Sequence, residues 1–143
     1  MGEIIKYGNL QRQKDTISDH SRLLVYWWTR IRELSSKPIS VSKPLSEKLQ
    51  DVSPGKRTMR LASCFQSVLA QYPDNVVIKD IDVMFNPAYQ VDVLKILIEA
   101  RKSKPYSVIW PGRYENGTLY YSEQGYQDYK AYEVKNYDIT CVI

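Results

Sequence analysis

Apolar residues along this chain occur in short continuous runs, separated by stretches in which they recur at helical spacing. Three of the runs, residues 22–28, 76–81 and 106–110, are rich in β-branched and aromatic side chains. Runs of this kind are typical of strands that are covered on both faces, as in parallel sheets. We therefore predict that these three strands are parallel and lie side by side, and that residues 39–42 form a further short strand.

Between these strands, apolar side chains recur every three or four residues, a spacing typical of amphipathic helices. The pattern predicts helices over residues 29–36, 43–52, 58–71 and 86–103. Alternating strands and helices predict an α/β fold, with a mostly parallel sheet flanked by helices. At 143 residues the chain has the size of one ordinary domain.

The two ends of the chain differ from its middle. Residues 1–21 are polar and aperiodic, so we expect a loose N-terminal arm followed by a single domain over residues 22–143. After Gly112 the sequence becomes rich in tyrosine, with eight tyrosines when Tyr106 is included. A turn at residues 115–117 and short strands near 118–121 and 138–143 are expected there. We interpret residues 113–143 as a tyrosine-rich β elaboration on the sheet.

Composition excludes several classes of chemistry. His20 is the only histidine, so a histidine-based triad or metal site is not supported. Cys64 and Cys141 lie far apart and predict buried free thiols. No signal peptide and no apolar run of membrane-spanning length is found, which favours a cytoplasmic protein without membrane contact. The net charge of +4 is compatible with nucleic-acid contact but does not require it.

Two carboxylates at the end of the 76–81 strand are candidates for a magnesium site. Asp80 and Asp82 alternate along the chain, so in an extended strand both would point to one face, as in the magnesium-binding strand of a P-loop ATPase. Solvated or capping aspartates are the alternative interpretation. Asp92 is a weaker candidate, because we expect it on the solvent edge of its helix.

The phosphate-binding loop that should accompany such a site is missing. Gly55-Lys56 is followed by Arg57 where a P-loop requires Ser or Thr, and no glycine follows the 22–28 strand. We therefore expect no cofactor and no catalysis by the isolated chain. Mg-ATP binding remains the alternative.

The tyrosine-rich tail has two candidate roles. Its tyrosines are expected to form a protein interface, because tyrosine supplies large contact area at low entropy cost. Alternatively they stack on nucleic-acid bases, with Arg113, Lys130 and Lys135 near the phosphates. The interface candidates are Tyr114, Tyr120, Tyr121, Tyr126, Tyr129 and Tyr132.

The order of these features resembles the BrxF family of type 3 BREX bacteriophage-exclusion systems. The residues that carry the resemblance are the aspartate-Phe-x-Pro stretch within 82–87, the WPG-x-Y-x-x-G stretch at 110–117, and the tyrosine-rich end. The resemblance covers Val76–Ile143 and extends more weakly over residues 22–60. It implies a P-loop-NTPase-like fold, here in degenerate form because the family's Walker A loop is absent. Of the family's nucleotide site, only Asp80 and Asp82 are carried over.

The family resemblance also implies a role. BrxF proteins are components of an antiviral defence island that includes a DNA methyltransferase, an alkaline-phosphatase-like protein and a large ATPase. We therefore expect a non-catalytic component that works through contacts with other BREX proteins or with itself. The alternatives are a weak or partner-completed ATPase subunit and a DNA-binding accessory subunit.

Overall fold

A computed structural model describes residues 2–6, 22–27 and 37–143 of the chain. These residues form nine strands and three α-helices. The strands are β1 (Glu3–Ile5), β2 (Leu23–Trp27), β3 (Ile39–Ser40), β4 (Val76–Lys79), β5 (Tyr106–Trp110), β6 (Arg113–Glu115), β7 (Thr118–Tyr121), β8 (Lys130–Glu133) and β9 (Ile139–Val142). The helices are α1 (Ser42–Gln50), α2 (Arg57–Leu69) and α3 (Val93–Ser103).

The main sheet has six strands in the order β1-β9-β2-β5-β4-β3, and every neighbouring pair is parallel. Strands β2, β5 and β4 are adjacent in its centre, as the apolar runs predicted. The prediction of an α/β domain with a mostly parallel sheet flanked by helices is therefore confirmed.

The two faces of the sheet bury different side chains, because successive residues of a strand point to opposite faces. Val25, Ile78 and Val108 belong to the larger core, which also contains the buried residues of all three helices. Tyr26 and Ile109 belong to a smaller cluster. This two-sided burial explains why the strands lack the polar alternation of half-exposed strands.

Helices α1 and α2 connect the edge strand β3 to β4 and pack against each other. The Arg57 guanidinium fixes the turn between them, since its Nε donates to the carbonyl oxygens of Leu49 and Val52 at 2.9 and 3.0 Å. Short 3-10 turns occur at Pro54–Lys56, Asp82–Phe85 and Val134–Asn136.

Strands β6, β7 and β8 form a separate antiparallel sheet, called here the small sheet. Asn116 and Gly117 make the β6–β7 turn with φ of 49° and 82°, the backbone that a two-residue type I′ hairpin requires. This confirms the predicted turn. The small sheet lies within the connection from β5 to β9, where a parallel sheet usually places a helix.

Three expectations need correction. Residues 139–142, assigned to the tyrosine-rich elaboration, form β9 inside the main sheet, between β1 and β2. Residues 3–5, expected to be a loose arm, form the edge strand β1, which pairs with β9. Helix α3 begins at Val93 and not near residue 86.

Some expectations fall on residues that the structure does not describe. The predicted helix at 29–36 and most of the predicted arm lie outside the described residues. Within the described ranges, no helix is long and apolar enough to cross a membrane.

Candidate functional site at the carboxyl edge of the sheet

Open parallel sheets bind ligands beyond the carboxyl ends of their strands, so a ligand site is expected at the carboxyl edge of the main sheet. In this chain the central strands end at Trp27, Lys79 and Trp110. The segment 80–92 follows β4 and leads to the start of α3. Most of the candidate residues from the sequence lie at this edge or on the small sheet beside it.

The small sheet packs against the ends of the central strands. Trp110 is fully buried, and its Nε1 donates to the carbonyl oxygen of Tyr120 at 2.9 Å. Its ring also meets the ring of Tyr132 edge-on, with centroids 5.8 Å apart. At the end of β2, the rings of Trp27 and Tyr114 lie 6.4 Å apart. Aromatic side chains therefore fill the space beyond β2 and β5.

Gly112 permits this close approach. A Cβ atom at this position would lie only 1.8 Å from the carbonyl oxygen of Tyr120. No side chain fits at such a distance, so the turn that leads from β5 into the small sheet requires glycine.

The two strand-end aspartates do not lie on an extended strand. Strand β4 ends at Lys79, Asp80 has φ of 62°, and Asp82 begins a 3-10 turn. The expectation that Asp80 and Asp82 share one face by strand alternation is therefore wrong. Aspartate is among the residues that adopt positive φ most readily, so Asp80 can turn the chain out of β4.

Asp82 is bound by a tyrosine of the small sheet. The Tyr121 hydroxyl donates to Oδ2 of Asp82 at 3.0 Å. The ring of Tyr121 also stacks on Phe85, with centroids 3.8 Å apart and planes 7° from parallel. Burial and the nearby Asp82 carboxylate both raise the pKa of Tyr121 well above its usual value. The phenol therefore stays protonated and remains a donor to Asp82.

A second carboxylate at this edge is bound in the same way. Asp92 caps α3 by accepting from the backbone N–H of Lys95 at 3.1 Å, and it accepts from the Tyr137 hydroxyl at 2.8 Å. The interpretation of Asp92 as a residue on the solvent edge of the helix is therefore wrong. Next to it, the Tyr132 hydroxyl accepts from the backbone N–H of Val93 at 3.3 Å. Burial raises the pKa of Tyr132 to about 12.

The candidate interface tyrosines differ widely in exposure. Tyr132 is buried, whereas Tyr126 has two-thirds of its surface exposed, 66%. Tyr120 lies under the Arg113 guanidinium, whose Cζ is 4.6 Å from the ring centroid, and 6.3 Å from the ring of Tyr129. Most of the candidate tyrosines therefore bind other parts of this chain, and Tyr126 is the one left facing solvent.

The candidate nucleic-acid residues of the tail are partly engaged as well. Arg113 donates from Nη1 to the carbonyl oxygen of Ser122 at 2.9 Å, and Lys135 lies 3.7 Å from a carboxylate oxygen of Glu133. Lys130 lines a groove. The structure therefore does not bring these three cations together as one free basic surface.

That groove has a volume of about 710 Å³ and lies between residues 84–91 and the start of β8. Its polar lining consists of the side-chain amides of Asn86, Gln90 and Gln127 and the ammonium group of Lys130. Tyr126 does not line the groove, but it directly precedes Gln127, which does, and its ring is exposed on the same loop between β7 and β8. We call the surface formed by residues 84–91 and 126–130 the edge surface.

Within the part of the chain that the structure describes, no three His, Cys, Asp or Glu side chains are grouped so that they could hold a metal ion. Tyr121 was predicted only as an interface residue, and its bond to Asp82 was missed. The sequence offers no local pattern for such a pair, since 39 residues separate its members.

Comparison of the chain with protein-family models, with curated proteins and with solved structures finds no match.

Proposed function

We propose that this chain is a non-catalytic α/β protein that acts through protein contacts at its edge surface. The resemblance to the BrxF family suggests the partners, which are other components of a BREX-type antiphage defence system or a second copy of the chain. The main support for a non-catalytic role is the pair of contacts made by Tyr121, whose hydroxyl donates to Asp82 and whose ring stacks on Phe85.

The contacts of Tyr121 with Asp82 and Phe85 bear directly on nucleotide binding. In a P-loop ATPase, the carboxylate after this strand orients magnesium next to the phosphates. Here the Tyr121 hydroxyl donates to Asp82, and its ring covers Phe85. A nucleotide at this edge would have to displace the half-buried ring of Tyr121 from Phe85 and break its hydrogen bond to Asp82. The chain's own side chains thus take the place that a ligand would occupy.

The strand order supports descent from a P-loop fold. Apart from β1, the main sheet contains β2, β3, β4, β5 and β9. When these strands are numbered first to fifth along the chain, their order across the sheet is fifth, first, fourth, third, second. This order is typical of a large branch of P-loop ATPases. In that fold the phosphate loop follows the first strand, but residues 28–36 after β2 contain no glycine. We infer a P-loop-like fold whose nucleotide chemistry has been lost.

The edge surface has the composition of a contact site. Tyrosine and arginine are enriched at the energetic centres of protein interfaces. Tyr126 of the edge surface is exposed, and Tyr129 of the same surface lies 6.3 Å from the ring of Tyr120, which pairs with Arg113 in the neighbouring small sheet. The amides that line the groove can pair with the backbone of a partner chain.

A co-purification experiment tests the contact surface. The tagged chain is expressed with the proteins of its operon, and partner capture and self-association are measured by mass spectrometry and light scattering. Tyr126→Ser with Tyr129→Ser should reduce capture at least tenfold. The matched control is Met59→Ser, which removes another large exposed side chain, 76% exposed, from helix α2. Equal capture by all three proteins would contradict the proposed surface.

A thermal-shift titration separates this function from a partner-completed ATPase. A ligand at a hundredfold excess over its Kd stabilises a protein by about 2.7 kcal/mol, which moves Tm by several degrees. We expect no Tm shift with Mg-ATP. A clear shift that disappears in Asp80→Asn would instead establish a nucleotide site at this edge.

A further inference from the structure

A second surface, on helix α2, has an unusual charge composition. Residues 52–73 contain Lys56, Arg57 and Arg60 but no aspartate or glutamate. A quarter of the residues in the whole chain are charged, and acids are nearly as common as bases, 16 against 20. An exposed helix without a single acid therefore departs from the rest of the protein.

The helix presents this composition outward. Its buried side includes Leu61, Phe65 and Val68, so the opposite side faces solvent. We call this opposite side the outer face of α2. Its exposed residues are Lys56, Met59, Arg60, Ser63, Gln66 and Ser67. A helix of 13 residues is about 20 Å long, which gives the outer face the reach of an extended binding surface.

The cations of the outer face are available for an external partner. Within the described residues, neither Lys56 nor Arg60 forms a salt bridge or a side-chain hydrogen bond. The helix that carries them is held firmly, because Arg57 at its first turn donates to two carbonyl oxygens at the end of α1. A partner therefore meets a preorganised surface and pays little to order it.

The types of side chain distinguish two classes of anionic partner. Protein interfaces are rich in aromatic residues, and the outer face has none. Phosphate oxygens, by contrast, are contacted by Lys and Arg together with Ser, Thr and Gln donors. Lys56 and Arg60 next to Gln66 and Ser67 match the second description, whereas the Ser63 hydroxyl donates to the carbonyl oxygen of Arg60 at 3.0 Å.

The tail is a poorer nucleic-acid surface than α2. Arg113 and Lys135 bind groups within the small sheet. The tail also carries five acids that would repel phosphates, namely Glu115, Glu123, Asp128, Glu133 and Asp138. We infer that the outer face of α2 binds the sugar-phosphate backbone of duplex DNA, and that the tyrosine-rich tail does not.

This inference goes beyond the proposed function, because it uses a different surface and a different partner. Binding through phosphates depends on salt, with a slope of about −0.9 in log K against log salt for each phosphate neutralised. It is also nearly independent of sequence, since backbone contacts carry no base information.

Fluorescence anisotropy with a labelled DNA duplex of about 20 base pairs, titrated at several salt concentrations from roughly 50 to 200 mM, tests the inference. Lys56→Glu with Arg60→Glu should weaken binding at least tenfold and lower the magnitude of the salt slope by about 2. The matched control makes the same charge change on exposed positions of α3, Lys95→Glu with Lys102→Glu, and should stay within about twofold. Circular dichroism confirms that both variants are folded.

Four outcomes would overturn the inference. The first is no binding of the wild-type chain at about 50 mM salt. The second is an equal loss in the α2 and α3 variants, which would show attraction by net charge alone. The third is tighter binding of a labelled polyglutamate peptide than of DNA, which would indicate an acidic protein partner. The fourth is a loss of duplex binding only in Arg113→Glu with Lys135→Glu, which would show that the DNA site lies on the tail.

Discussion

The small sheet and helix α2 pack into the same hydrophobic core, and each has a biased composition, one rich in tyrosine and the other free of acids. The small sheet directs two of its tyrosine hydroxyls towards the segment that leads from β4 into α3. Tyr121 binds Asp82, and Tyr132 accepts from the start of α3. Helix α2 buries only apolar residues and leaves Lys56 and Arg60 facing solvent.

A biased composition therefore does not by itself define a binding surface. The tyrosines look like an interface in sequence, yet three of the six candidates, Tyr114, Tyr121 and Tyr132, hold the small sheet against the carboxyl edge. Lys56 and Arg60 attract less notice in sequence, yet within the described residues their side chains form no salt bridge or hydrogen bond, unlike that of Arg57. Mutations should therefore lower stability in the small sheet and leave it unchanged on the outer face of α2.

The largest effect is expected at Trp110. Its ring is fully buried and meets Phe85 and Tyr132 edge-on, at centroid distances of 5.6 and 5.8 Å. Trp110→Ala should lower the free energy of unfolding by about 3–5 kcal/mol, because it opens a cavity and leaves the Tyr120 carbonyl without its donor. Urea denaturation measures the loss. A loss below about 1 kcal/mol would show that the small sheet is not anchored there.

The next effect is a loss of stability at alkaline pH. Burial raises the pKa of Tyr132 and of the Cys141 thiol to about 12 and raises that of Tyr106 as well. Each group holds its proton more tightly in the folded state, so its contribution to the free energy of unfolding is complete below its ordinary pKa. The contribution is lost as pH rises towards the folded value. Urea denaturation between about pH 8 and 11.5 should show falling stability.

Tyr132→Phe is the matched variant for this pH dependence. It keeps the ring and removes the titrating hydroxyl, so its stability should fall less steeply above about pH 10. The same slope in wild type and variant would show that Tyr132 does not contribute.

A smaller effect is expected at the pair of Tyr121 and Asp82. Tyr121→Phe keeps the stack on Phe85 and removes only the hydrogen bond, so it should cost about 0.5–1.5 kcal/mol. The double variant with Asp82→Ala should lose less than the two single losses added together, because both changes remove the same bond. Additive losses in urea denaturation would mean that the bond contributes nothing.

The parts of the fold that could be predicted are those that local sequence determines. The runs in β2, β4 and β5 are apolar on consecutive residues because both faces of these strands are covered. The Asn116-Gly117 turn follows from the positive φ that its two residues tolerate.

The parts that could not be predicted depend on contacts between distant segments. Strand β1 has three residues, and its pairing with β9 joins opposite ends of the chain. Tyr121 and Tyr137 reach carboxylates 39 and 45 residues away, and no spacing rule covers such pairs. Strand β9 did carry a usable pattern, since all four of its residues are buried, as in a central strand. Its position after the tyrosines led to its assignment to the tail.

The smallest effect on stability is expected at Met59, where the outer face of α2 can be strengthened. Met59 is 76% exposed and lies between Lys56 and Arg60. Met59→Lys should change the free energy of unfolding by less than about 0.5 kcal/mol, because lysine and methionine have similar helix propensities and no packing is lost.

The same change, Met59→Lys, adds a cation to the surface inferred to bind DNA. It should therefore tighten duplex binding at low salt and increase the magnitude of the salt slope by up to about 0.9. Lysine placed at Ala131, an exposed position of the small sheet, adds the same charge where no DNA contact is expected. If both variants tighten binding equally, DNA responds to the net charge of the protein, and the contrast between the two regions does not extend to function.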